Sequence, residues 1–185
     1  VRGQRVDMPC VPAAARGRRG RVEPRRTNLT PAQAAGPARM TARAFPRSIR
    51  TSINNRGWHG IPGDRQVEDG DVLNIDVTVI LDGWHGDSSR MYAAGQPSTR
   101  ARNLIDVTYE SLMRGVRAVK PGVTLGDIGH AIQTFVEGNR FSVVRDFCGH
   151  GIGRRFHEPP NVLHFGRRGE GPVLKPGMFF TIEPM

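Results

Sequence analysis

The side chains best suited to chemistry in this sequence are few, mostly acidic, and drawn from stretches far apart. Asp76 and Asp87 fall in a run that reads as a β-hairpin: ValLeuAsnIleAspValThrValIleLeu (72–81), Asp82-Gly83, and a return strand from about Trp84 to Ala94. With Asp82 and Gly83 as the two turn residues, Leu81 pairs with Trp84, Ile80 with His85, Thr78 with Asp87 and Asp76 with Ser89. The two aspartates then share one face as diagonal neighbours, their Cα atoms roughly 7–8 Å apart. Aspartate suits strand interiors poorly, and two on one face repel. A cation held between them by hard oxygen ligands would relieve the repulsion; two solvated carboxylates on an exposed face would need none.

Three further residues extend the set. His150 stands between Gly149 and Gly151, where glycine lets the backbone approach a ligand and leaves the imidazole open. His157 follows in PheHisGluProPro (156–160). Cys148 beside His150 has no second cysteine at zinc-site spacing, which argues against a structural zinc. Glu183 ends the apolar run PhePheThrIleGlu (179–183), and a carboxylate there is costly unless paired or metal-bound. Two Asp, one His and one Glu form a carboxylate-rich set. It suits a two-ion hydrolytic centre, in which divalent ions lower the pKa of a water and polarise a carbonyl or phosphoryl oxygen, better than a tetrahedral zinc.

The elements that must position these residues follow from periodicity. In 72–81, Ile75, Val77 and Val79 alternate with Asn74, Asp76 and Thr78. Residues 98–120 read as a helix with Leu104, Thr108, Leu112, Val116 and Val119 on its apolar stripe, stopped by Pro121-Gly122. A second helix starts at Thr124 with Asp127 completing a capping box, carries Ile128, Ala131, Ile132, Phe135 and Val136 on its buried side, and ends at Gly138-Asn139. A strand is expected over 141–147, then a glycine-rich loop, then a last strand over 178–183 after the LysProGly turn (175–177). The fold class is α+β (mixed α/β).

Composition bounds the rest. The 185 residues suffice for one ordinary domain, two cysteines exclude a disulfide-stapled miniprotein, and no apolar run approaches the ~20 residues of a membrane span. No charged-then-apolar leader pattern appears, so a cytoplasmic, membrane-free protein is expected. The net charge of +10 is localised: residues 1–50 hold 12 Arg and two acids, while residues 51–185 hold 15 basic and 15 acidic residues. Residues 1–44 are expected as a basic arm without regular structure, and 45–185 as the catalytic domain. The arm is either solvated chain or a contact for RNA or the ribosome; the neutral remainder offers no nucleic-acid face.

From Phe45 onward the chain closely resembles the type I (bacterial-type) methionine aminopeptidases. The resemblance rests on PheProArgSer (45–48), ThrSerIleAsn (51–54), HisGlyIlePro (59–62), AspGlyAspValLeuAsnIleAspValThrVal (69–79), AspGlyTrpHisGlyAspSerSerArg (82–90), PheCysGlyHisGlyIleGlyArgArgPheHisGluProProAsnValLeuHis (147–164) and LysProGlyMetPhePheThrIleGluProMet (175–185). It implies the pita-bread (creatinase/aminopeptidase-like) fold and a pair of divalent ions, Mn, Fe, Co or Zn. It implies Asp76 as a chelating ligand, Asp87 as the bridging ligand, His150 as the single imidazole ligand, and Glu183 as a ligand that also handles the proton of the attacking water. His157 would bond the scissile carbonyl oxygen, His59 the scissile amide nitrogen, and Phe156 with Phe45 would line the methionine pocket. The implied reaction removes the initiator Met from nascent peptides, carried out by a monomer.

The sequence also departs from the family pattern. The family's fifth ligand, a Glu, lies beyond the segment ending at Met185, so a C-terminally truncated member with an incomplete second half is expected. AsnArgGlyTrp (55–58) replaces the family's usual residues before His59, and the upstream aromatic and Cys positions of the methionine pocket are largely missing. The expectation is weak or no turnover. The alternative is an inactive member that binds nascent chains, the ribosome or RNA; a sister enzyme cleaving Xaa-Pro bonds fits the HisGlyIlePro and PheHisGluProProAsnValLeuHis segments less well.

Overall fold

A computed structural model describes residues 36–37, 49–56 and 60–185. Phe45 and His59 therefore lie outside the described residues. The hairpin forms as the turn chemistry requires. Asp82 (φ 50°) and Gly83 (φ 80°) both adopt positive φ, the requirement of a type I′ turn, and join β3 (Val72–Leu81) to β4 (Trp84–Ala93). The register pairs Leu81 with Trp84, Thr78 with Asp87 and Asp76 with Ser89, as predicted.

The other edge of β3 takes two short strands. β2 (Arg50–Ile53) pairs antiparallel with Leu73–Asp76, setting Arg50 directly opposite Asp76. β1 (Gly36–Pro37), within the stretch expected as arm, pairs with Val79 and Ile80. Period-2 alternation therefore places Arg50, Asp76, Thr78 and Asp87 on one face of the sheet.

Two helices follow. α1 (Thr99–Ala118) is capped by Ser98, whose side chain accepts from the Ala101 N–H. α2 (Leu125–Gly138) opens on the predicted capping box: the Thr124 hydroxyl accepts from the Asp127 N–H, and the Asp127 carboxylate accepts from the Thr124 N–H. The buried side of α2 is Leu125, Ile128, Gly129, Ile132 and Val136, with Ala131 and Phe135 only half-buried. These apolar residues form the core with Val143, Val162 and Leu174, and Phe141, Phe180 and Ile182 pack against them.

The expected stripe of α1 is corrected. Its buried residues are Val107, Ser111 and Gly115, whereas Leu104, Val116 and Val119 are 48%, 45% and 40% exposed. The helices meet through the smallest side chains because that permits the closest approach. A Cβ on Gly115 would stand 2.8 Å from Ile132 Cδ1 and 3.3 Å from Ile182 Cγ2.

Two expected strands are also corrected. Residues 141–147 do not join a ladder; Val143 is buried, and the Val144 N–H donates to the Met185 carbonyl at 2.9 Å. The expected glycine-rich loop instead holds β5 (Gly149–Gly151), paired with β6 (Glu158–Val162). Residues 178–183 form one bridge, Phe180 to Gly151, supported by the Thr181 N–H donating to the His150 carbonyl at 2.8 Å. Three residues of β5 are too short a template for a longer strand.

Candidate metal centre

The hairpin delivers two carboxylates. Asp87 accepts a hydrogen bond from the Thr78 hydroxyl at 3.1 Å, its direct partner across the ladder. Burial pushes the Asp87 carboxyl up to about 6, and the neighbouring Asp76 and Glu183 charges add to the rise. Asp76 Oδ2 accepts from Arg50 Nη1 at 2.9 Å, with the two side chains 22% and 8% exposed.

The β5 strand delivers the imidazole. His150 Nδ1–H donates to the Gly151 carbonyl at 2.8 Å, because only a protonated nitrogen can bond a carbonyl. In the neutral ring that bond leaves Nε2 as the acceptor nitrogen, the one able to ligate a metal. Nε2 lies 3.8 Å from Asp87 Oδ2 and 3.7 Å from Glu183 Oε1. The flanking glycines serve the neighbouring chain rather than an incoming ligand. A Cβ on Gly149 would run into the Thr181 carbonyl, and one on Gly151 into the Pro159 carbonyl.

Glu183 is held from both ends. Its Oε1 accepts from the Thr181 hydroxyl at 2.6 Å, and its backbone N–H donates to His164 Nε2 at 3.0 Å. Burial raises its carboxyl, against the Thr181 hydrogen bond. His164 is 1% exposed, and burial pushes its imidazole down to about 4, so it stays neutral as an acceptor.

The aromatic side chains close one flank. His157 stacks edge-on to His150 with ring centroids 4.3 Å apart, and Phe156 lies 5.4 Å from His150 and 5.9 Å from His85. Burial lowers the His157 pKa, helped by the nearby His150 ring and the Arg50 charge. His85 ties the hairpin to this loop, its backbone N–H donating to the Gly153 carbonyl at 2.8 Å.

The structure thus brings together Asp87, His150, Glu183, His157 and Phe156. Sequence reasoning missed Arg50, Thr78, Thr181, His85 and His164. Thr78 carried a signal, since the hairpin register already set it opposite Asp87; Arg50 and His164 carried none, because their roles depend on long-range pairing.

The donor set fits a divalent ion. Ligands about 2.1 Å from one cation stand roughly 3–4 Å apart, the spacing of His150 Nε2 from both carboxylates. Partly buried like charges that raise one another's pKa are relieved by a dication. Among the described residues no three His, Cys, Asp or Glu side chains are yet drawn close enough to hold one ion together, and Asp76 is engaged by Arg50.

Comparison with known proteins points the same way. The model of metallopeptidase family M24 matches residues 26–185. The chain is 54% identical over 158 residues to a methionine aminopeptidase of Rickettsia prowazekii, covering 85% of this chain and 61% of the relative. It is 56% identical over 142 residues to that of Escherichia coli K12, covering 76% and 54%. The crystal structure of the Rickettsia prowazekii methionine aminopeptidase superposes with a TM-score of 0.76 at 55% identity, covering 80% of this chain and 60% of that one. A prolidase from Pyrococcus furiosus superposes with a TM-score of 0.63 at 27% identity, covering 74% and 40%. The chain spans about three fifths or less of the length of these relatives. Its mixed α/β architecture is the pita-bread fold those structures share, and with the family match over 26–185 it belongs to metallopeptidase family M24.

Proposed function

We propose that the chain carries the metal-binding and substrate-facing residues of a methionyl aminopeptidase acting on the N-terminal Met of nascent peptides in the cytoplasm, as a monomer. The observation that carries the reading is the convergence of Asp87 and Glu183 on Nε2 of His150. Asp76, Asp87, His150 and Glu183 would hold two divalent ions, which supply a water of lowered pKa and a polarised substrate carbonyl.

The chain's own residues do the remaining work. Glu183, its carboxyl raised by burial, is poised to take and return the proton of the attacking water. His157 is held neutral near pH 7, so its ring N–H can donate to the oxyanion that develops on the scissile carbonyl. His59 would bond the scissile nitrogen, and Phe156 with Phe45 would receive the methionine side chain. Residues 1–44 are assigned as a basic arm that contacts RNA or the ribosome, and 45–185 as the catalytic part.

The Arg50–Asp76 pair favours a second reading, a weakly active member that retains binding to nascent chains. One assay tests both: Met release from Met-Gly-Met with Mn or Co present. Slow release abolished by Asp87→Asn and by His157→Ala supports the enzyme. Absence of release together with absence of Mn binding overturns it.

A further inference from the structure

Among the described residues Arg50 is the feature of the centre that opposes a cation. It is buried on β2, directly across the ladder from Asp76, and its guanidinium holds Asp76 Oδ2 at 2.9 Å with only 8% of the side chain exposed. The same carboxylate would have to serve both cations if Asp76 is also to hold a metal. The Arg50 charge also reaches beyond its partner: it opposes the burial-driven rise at Glu183 and adds to the burial-driven fall at His157. A permanent cation therefore sits within electrostatic range of three residues assigned to the site.

We propose that Arg50 is an internal cation that competes with a divalent ion for Asp76 and thereby sets the metal affinity of the centre. The inference rests on the metal-site reading above. A guanidinium is always charged, so a metal that takes Asp76 either displaces it from a buried, charge-assisted hydrogen bond or shares the carboxylate with it through Oδ1. The incoming ion must also lie close to a like charge in a partly buried setting. Both effects weaken binding, and both vanish when the charge is removed.

The test is titration of Mn(II), followed by calorimetry and by the loss of the free-ion paramagnetic resonance signal, into four chains: unsubstituted, Arg50→Gln, Asp87→Asn and Arg50→Gln/Asp76→Asn. Arg50→Gln keeps the stem and a hydrogen-bond donor for Asp76 but no charge. Arg50→Lys serves as the second variant if Arg50→Gln fails to fold by circular dichroism; its compact ammonium forms a single contact, and it should tighten binding less. The expected result is at least a ten-fold tightening in Arg50→Gln that disappears in the double variant. Equal affinity of unsubstituted and Arg50→Gln chains, with binding still lost in Asp87→Asn, overturns the competition and leaves the metal-site reading standing. No binding in any chain, or binding indifferent to Asp87, overturns both.

Discussion

Asp87→Asn should stabilise the metal-free chain and lose most or all of that advantage once Mn is added. The Asp87 carboxyl is 13% exposed and has its pKa raised to about 6 from an ordinary 3.8 by burial and by the Asp76 and Glu183 charges. The folded state binds its proton more tightly than the unfolded chain, so protonation stabilises the fold fully below about pH 4. That contribution is lost as pH rises through 6. A shift of about two pKa units corresponds to roughly 3 kcal/mol at pH 7.5, of which the Asn variant would recover most. Asn keeps an oxygen for the Thr78 hydroxyl, so the hydrogen bond at 3.1 Å need not be lost.

Urea denaturation in EDTA between pH 4.5 and 7.5 reads the effect directly. The stability difference between variant and parent should grow from about 1 kcal/mol at pH 4.5 to about 3 kcal/mol at pH 7.5. With Mn at 100 times its dissociation constant the parent gains about 2.7 kcal/mol by mass action and the variant does not, so the order narrows or reverses. A difference independent of pH, or a variant less stable than the parent in EDTA at pH 7.5, would refute the reasoning that burial and carboxylate repulsion penalise the Asp87 charge.

Two further outcomes follow from the same structure. His164→Gln should flatten the acid side of the stability curve: the parent's imidazole has its pKa lowered to about 4, so the unfolded chain binds the extra proton and up to about 3 kcal/mol is lost as pH falls from 6.5 to 4. That slope runs opposite to the one from Asp87, so it is best resolved by urea denaturation in the Asp87→Asn background. Gly115→Ala gains about 1 kcal/mol of helix propensity but sets a methyl 2.8 Å from the fully buried Ile132; overpacking of about 1–3 kcal/mol should win, giving a net loss of roughly 1 kcal/mol in thermal denaturation.

What could be read from the chain before its fold was known divides along the range of the interaction. Asp82-Gly83 specifies a turn that fixes strand register within two residues, so the facing of Asp76, Thr78 and Asp87 was legible. The Thr124–Asp127 box is equally local and forms as read. The face of α1 was misread because periodicity ranks residues by hydrophobicity, whereas Gly115 and Ser111 are buried for their small size. The segment 178–183 has the composition of a strand, but ladder length is set by its partner, and β5 has three residues.

Arg50 shows why the candidate site was only partly legible. Its place opposite Asp76 comes from the pairing of β2 with β3, and no turn of defined length sets that pairing from local sequence. The consequence is electrostatic. Asp76, Asp87 and Glu183 carry a formal charge of −3 when ionised, and Arg50 reduces it to −2 before any metal arrives. One divalent ion then neutralises the named groups, while a second would leave them at +2 in a partly buried pocket where uncompensated charge is costly. Removing the Arg50 charge restores the deficit that a second ion would need. The affinities in the Mn titration therefore carry information of their own: a second ion bound more weakly than the first in the parent, with a smaller gap in Arg50→Gln, is the pattern this charge balance favours. Two ions of equal affinity in the parent would mean that Arg50 leaves Asp76 without cost.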